Sequence, residues 1–191
     1  MRGVGFTAQV RRVESGPRER YQSDGIASGI RFQLLQSGAQ RRGSVLRDLG
    51  GPLPVVRVLG FNTEGEHGVA TLTLPPVPYS AWEIEAYRTV LGLLRRAVER
   101  QDAALLGRVA TASTLIMQRH RPKRHMPELL RLAKEAGALG VQVAHSGTVA
   151  GFLFEPGAGA AERIEFARAG LRRLDLLASW EFSTELPGDP S

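Results

Sequence analysis

The residues best suited to chemistry in this chain form a short polar bend, His145-Ser146-Gly147-Thr148. Apolar runs of β-forming residues flank it at 139–144 and 149–154. Glycine at 147 and 151 removes side-chain bulk where the chain must turn and approach a partner. Such a bend lets backbone N–H groups and the hydroxyls of Ser146 and Thr148 converge on something small or anionic. Strand, polar bend, strand also describes an ordinary hairpin, so the residues alone leave both readings open. His145 is equally two-sided. It could hydrogen-bond a substrate carboxylate, or be a satisfied structural residue beside an apolar strand. A second polar turn, Ser23-Asp24-Gly25, carries a carboxylate. That group can accept a proton from an alcohol, or simply bond its own backbone in a turn.

The run Ala144-His145-Ser146-Gly147-Thr148-Val149-Ala150-Gly151 resembles the third conserved motif of the GHMP kinases. This is the superfamily of galactokinase, homoserine kinase, mevalonate kinase and phosphomevalonate kinase. Within it the chain looks most like the L-threonine kinases of cobalamin synthesis and propanediol use, whose motif reads close to Val-Ala-His-Ser-Gly-Thr-Val. The stretches 126–140 and 101–113 share that look, and Ser23-Asp24-Gly25 is similar to the family's Pro-Ser-Asp-Gly turn. The likeness runs from about residue 22 to the end, with the His-Ser-Gly-Thr segment its most specific part.

The resemblance implies an α+β fold, with part of an S5-like N-terminal lobe of antiparallel strands and a ferredoxin-like C-terminal lobe. It implies ATP and Mg²⁺ as cofactors and phosphoryl transfer to a hydroxyl of a small molecule, L-threonine or similar. By the same likeness Asp24 is the catalytic residue facing the acceptor hydroxyl. Ser23, His145, Ser146, Gly147 and Thr148 would line the substrate pocket. These kinases normally also carry a Gly-rich, Ser-Ser-containing loop whose amides cradle the ATP phosphates. No Gly-x-Gly-x-Ser-Ser run and no Gly-Lys-Ser/Thr occurs in this sequence. The expectation is therefore the C-terminal portion of such a kinase, incomplete as it stands. Its partner would be a separate N-terminal half or a second copy of the chain. The alternative is a non-catalytic, ligand- or partner-binding module of the same fold.

Composition narrows the classes. With 191 residues, 42% of them apolar, the chain can bury a sizeable core. It has no cysteine, which excludes disulfides and thiolate metal sites. The four histidines, at 67, 120, 125 and 145, lack paired ligand spacing, so no metal centre is expected. No apolar run reaches the roughly 20 residues of a membrane span. The N-terminus lacks a signal-peptide pattern, and cytoplasm is the expected compartment. The net charge is +6, carried almost wholly by arginine, since Lys123 and Lys134 are the only lysines. Its densest patch, residues 119–125, reads as a solvated loop or as an attractor of phosphate. Without interleaved aromatics, the charge argues against nucleic acid.

The elements that must position the bend emerge from local signals. Residues 1–21 form an atypical opening segment with a possible strand at 6–13. Residues 22–76 read as a strand-rich block with runs at 30–36, 44–49, 55–61 and 69–74. Pro75-Pro76-Val77-Pro78 marks a boundary, after which residues 77–186 form the C-terminal domain and 187–191 a tail. Ser80 with Glu83 three residues later forms a capping box. The stripe Ile84, Tyr87, Leu91, Leu94 and Val98 then predicts a helix. Asp102 caps a second helix, with Leu105, Leu106, Val109, Ala112, Leu115 and Ile116 as its buried face. Thr111, Ser113 and Thr114 on that helix either line the cleft or bond the carbonyl one turn back. Pro127 opens a third helix ended by Gly137 or Gly140. A last helix spans 160–175, with Ile164, Phe166, Ala167, Leu171 and Leu174 inward, before a closing strand at 178–184.

Overall fold

The computed structural model describes residues 5–7, 33–35, 49, 51–63, 77–144 and 148–184. Strands β1 (Gly5–Thr7) and β2 (Gln33–Leu35) pair antiparallel with each other. The remaining elements are β3 (Arg57–Asn62), α1 (Ala81–Arg100), α2 (Ala103–Gln118), α3 (Met126–Glu135), β4 (Gly140–Val143), β5 (Val149–Phe154), α4 (Ala160–Arg173) and β6 (Ser179–Ser183). The expected strands at 44–49 and 69–74 lie almost wholly outside the described residues, as does most of those at 6–13 and 30–36.

Strands β3 to β6 form one antiparallel sheet in the order β4-β5-β3-β6. Counted along the chain, the second and third strands form a hairpin beside the first, and the fourth pairs on its other side. That is the ferredoxin-like arrangement, with α1 to α3 filling the first crossover and α4 the second. The α+β fold with a ferredoxin-like lobe is therefore as expected. The sheet also reaches back across the proline run at 75–78: β3, from the block before it, is an inner strand between β5 and β6. Its two faces explain why. Val56 and Val58 are buried in one core, Leu59 and Phe61 in the other, so this segment needs cover above and below.

Local chemistry sets the helix ends. In the capping box, Ser80 N–H donates to Glu83 Oε2 at 2.8 Å, and Glu83 N–H donates to Ser80 Oγ at 3.4 Å. Asp102 Oδ1 accepts from Leu105 N–H at 2.7 Å. Pro127 sits in the first turn of α3. Gly137, at φ +67°, then ends that helix in the left-handed conformation, while Ala138 N–H bonds Ala133 O at 2.8 Å.

One sheet face packs Leu59, Phe61, Phe152 and Phe154 against Leu129 and Leu132 of α3 and Ile164 and Leu171 of α4. Phe61 and Phe152 meet edge to face at 4.9 Å. The other face packs Val58 and Leu153 against Tyr87, Val90 and Leu94 of α1 and Leu106 and Val109 of α2. Helix α2 departs from its apolar pattern. Leu115 is exposed, and Ser113, Thr114 and Met117 are buried instead. Phe166 of α4 likewise points to solvent. The reason at α2 is that the helix lies along the outer edge of β4. Thr111 Oγ1 accepts from Val141 N–H at 2.9 Å and donates to Gly107 O at 3.0 Å. Thr114 Oγ1 donates to Val141 O at 3.0 Å. Two hydroxyls thus satisfy an edge strand's outward backbone groups, which would otherwise be buried without partners. Gly107 and Gly140 permit this contact, because a Cβ on either would overlap the backbone of the facing element.

Candidate functional site

Helix α2 runs beside β4 in the same direction, with Gly107 against Leu139 and Gly140, and Thr111 and Thr114 against Val141. Its C-terminal end therefore reaches the end of the sheet where β4 finishes and β5 begins. Here Ala144 N–H donates to Val149 O at 2.8 Å. Thr148 is buried, and its carbonyl accepts from both Thr63 N–H at 2.8 Å and Thr63 Oγ1 at 2.7 Å. The start of β5 is thereby pinned to the end of β3 across 85 positions of sequence. Of the expected site residues, Thr148 falls among the described residues. Ser23, Asp24, His145, Ser146 and Gly147 lie outside them. Thr63 is not among the residues that the sequence singles out. A lone threonine after a strand carries no periodic signal that could have found it.

A second polar constellation occupies the same end of the domain. Glu83, at the start of α1, has a side chain only 3% exposed. Its Oε2 accepts from Ser80 N–H and from Ser80 Oγ at 2.7 Å. Its Oε1 lies 2.8 Å from His120 Nε2 and 3.6 Å from Arg119 Nε. Hydrogen bonds from the Ser80 hydroxyl and amide, reinforced by His120, hold this carboxyl well below the usual range, at about 2. The Arg119 guanidinium lies 4.7 Å from the Trp82 ring centroid. Tyr79 meets His120 and Tyr87 edge to face at 5.2 and 5.3 Å. Burial pushes the Tyr79 phenol up, and burial with Tyr79 alongside pushes Tyr87 up further. The basic patch at 119–125 is consequently not a freely solvated loop at its start. His120 turns inward to Glu83, while Arg119 stays exposed with its Nε 3.6 Å from the same carboxylate. His120 and Arg121 N–H both bond Met117 O, and Lys123 N–H bonds Gln118 Oε1 at 2.7 Å. Among the described residues no group of three or more His, Asp or Glu could hold a metal ion.

Residues 94–172 match the family model described as GHMP kinases C terminal. The structure is similar to that of homoserine kinase from Cytophaga hutchinsonii, with a TM-score of 0.53 and 17% identity over 73% of this chain and 44% of that one. The fold is that of a GHMP kinase C-terminal domain. Mevalonate kinases from L. major and from methicillin-resistant Staphylococcus aureus also match. The first has a TM-score of 0.47 and 12% identity over 78% of this chain and 52% of that one. The second has a TM-score of 0.47 and 10% identity over 68% and 42%. A search of curated proteins gives no match. The chain thus spans less than half the length of the homoserine kinase it resembles. The matched segment begins inside α1 and ends inside α4, so it includes residues 145–148. No helix among the described residues is long and apolar enough to cross a membrane.

Glu83 gives this domain a defined acid response. Its carboxyl is held at about 2, against an ordinary value of 4.5, so the folded state favours the charged form. The contribution to stability is complete above pH 4.5 and is lost as pH falls towards 2. Glu83→Gln has no such proton to bind. The melting-temperature gap between the parent protein and this variant is therefore expected to narrow steadily on acidification. A gap independent of pH across that window would show that the carboxylate is not held by these bonds.

Proposed function

We propose that the chain is the C-terminal part of an ATP-dependent kinase of the GHMP type, which transfers a phosphoryl group to the hydroxyl of L-threonine or a similar small molecule. The observation that carries this reading is the family match over residues 94–172, which brackets the polar bend. Homoserine, named in the similar structure, is like threonine an amino acid with a side-chain hydroxyl. In this reading Asp24 takes the hydroxyl proton and Ser23 lines the substrate pocket. Ser146, Gly147 and Thr148 offer amides and hydroxyls to the transferring phosphate or the amino-acid head group, and His145 bonds the substrate carboxylate. Phosphoryl transfer depends on positioning more than on covalent chemistry. The bonds from Thr63 to the Thr148 carbonyl supply that rigidity on one side of the bend.

The described residues show no Mg·ATP site. The sequence has no phosphate-cradling Gly-Ser-Ser run, and the described residues hold no cluster of three or more metal-binding side chains. Nucleotide binding is therefore assigned to no residue here, and a separate N-terminal half is proposed to supply it. In this division residues 77–186 form the C-terminal domain together with β3, which lies inside its sheet, and the rest of 22–76 is the remnant of the N-terminal lobe. The reaction would serve cobalamin assembly in the cytoplasm.

Formation of O-phospho-L-threonine from Mg·ATP and L-threonine tests the reading, with the chain alone and with a candidate N-terminal half added. Product is expected only from the mixture. If the folded protein yields none in either case, the enzyme reading is lost. The second reading, a ligand-binding module, is favoured by the missing phosphate run. It predicts calorimetric heat with L-threonine and none with Mg·ATP.

A further inference from the structure

We propose that Glu83 and His120 are positioning residues: together they clasp the start of α1 to the end of α2 and so set the course of residues 119–125 into α3. The clasp itself rests on geometry alone. Its effect on a ligand rests on the proposed kinase reading.

A capping box needs one carboxylate oxygen, and Ser80 occupies Oε2 of Glu83. In an exposed capping box the other oxygen would face water. Here the side chain is almost wholly buried, and Oε1 reaches across 37 positions to His120. Tyr79 packs edge to face against the His120 ring, and Arg119, beside the same carboxylate, lies over the exposed Trp82 ring. Segment 119–125 is thus tied to the last turn of α2 through Met117 O and Gln118 Oε1, and to α1 through Glu83.

The entry of α3 depends on these ties. Helix α3 begins at His125, φ +57°, with no side-chain capping bond. Its first residue, Met126, is buried in the core that contains Phe61 and Val143, at the ends of β3 and β4. Those two strands deliver Thr63 and Ala144 to the flanks of the polar bend. Releasing the clasp loosens segment 119–125 first. The entry of α3 then loses its reference to α1, and the bend-bearing end of the sheet loses support. The opposite end of the sheet is held by bonds of its own, Leu139 N–H to Leu153 O at 2.7 Å and Thr184 N–H to Val56 O at 3.0 Å.

The test uses the full chain and three variants. His120→Ala removes the imidazole, His120→Asn leaves a side chain too short to reach Glu83, and His120→Gln restores a donor of suitable length. In the alanine and asparagine variants, hydrogen exchange at the amides of positions 120, 121 and 123 is expected to quicken about tenfold, as local opening without global unfolding. Exchange at Leu139 and Thr184 should stay unchanged, and the glutamine variant should return all three amides towards the parent rate. An equal rise at every amide, or no rise in either variant, overturns the clasp. With Mg·ATP, L-threonine and an N-terminal half, His120→Asn is expected to raise KM for threonine about fivefold while kcat stays within about twofold, the signature of weakened uniform binding. Rescue by His120→Gln is required, and its failure in a folded variant counts against positioning. If the parent protein makes no phosphothreonine, the kinase reading falls while the exchange result still decides the clasp.

Discussion

Gly140→Ala is expected to lower the melting temperature by roughly 6–12 °C, from about 3 kcal/mol of overpacking in a chain of this size. The new Cβ would overlap the Gly107 carbonyl, which is helix backbone and cannot rotate away as a side chain could. Relief requires α2 to move off β4. That motion would pull Thr111 and Thr114 from the Val141 backbone groups, leaving a buried N–H and C=O unpaired. Gly92→Ala is the internal control. Gly92 lies inside α1 with nothing within 4 Å of its would-be Cβ. Alanine there should stabilise by about 0.5–1 kcal/mol through helix propensity. Thermal unfolding of both variants decides the matter. Equal melting temperatures would mean that the close seam between α2 and β4 does not exist.

Asp24→Asn is expected to lower kcat for threonine phosphorylation by roughly 10²–10⁴-fold, the usual range for loss of a general base. The measurement is made in the mixture that produces phosphothreonine. Asparagine keeps the size and turn-forming hydrogen bonds of aspartate and loses only the charge. The substitution therefore separates the two roles that the Ser23-Asp24-Gly25 turn allows. A purely structural aspartate would leave kcat within about twofold, with the far-ultraviolet circular dichroism and melting temperature unchanged. A large fall in kcat with KM preserved is what proton transfer in the transition state requires.

Much of the domain could be read from neighbouring residues. The Ser80–Glu83 capping box, the Asp102 cap, Pro127 in the first turn of α3 and the Gly137 terminus all form within a few positions of chain. The apolar runs around the polar bend became β4 and β5 because alternating residues there face two separate cores. The likeness of residues 144–151 to a kinase motif agrees with the family match and with the observed fold.

Other features were hidden because no local pattern encodes them. Leu115 and Phe166 look inward by periodicity and are exposed. On α2 the buried stripe is partly hydroxyl, since its partner is strand backbone and not apolar side chains. The second oxygen of Glu83 finds His120 only when α1 and α2 lie antiparallel. Thr63 finds the Thr148 carbonyl only when β3 enters the sheet beside β5.

On its own, the linear order of residues determined where the described helices start and stop and marked the runs that become β3 to β6. Those outcomes depend on backbone sterics, capping and solvent exclusion acting over a few residues. Only the tertiary structure decided that a strand preceding the proline run would lie inside the sheet, that threonines would cover an exposed strand edge, and that a capping glutamate would reach a distant histidine. Each of these is a buried polar or apolar group finding its partner across the chain, and such a partner is chosen by packing, which local sequence does not record.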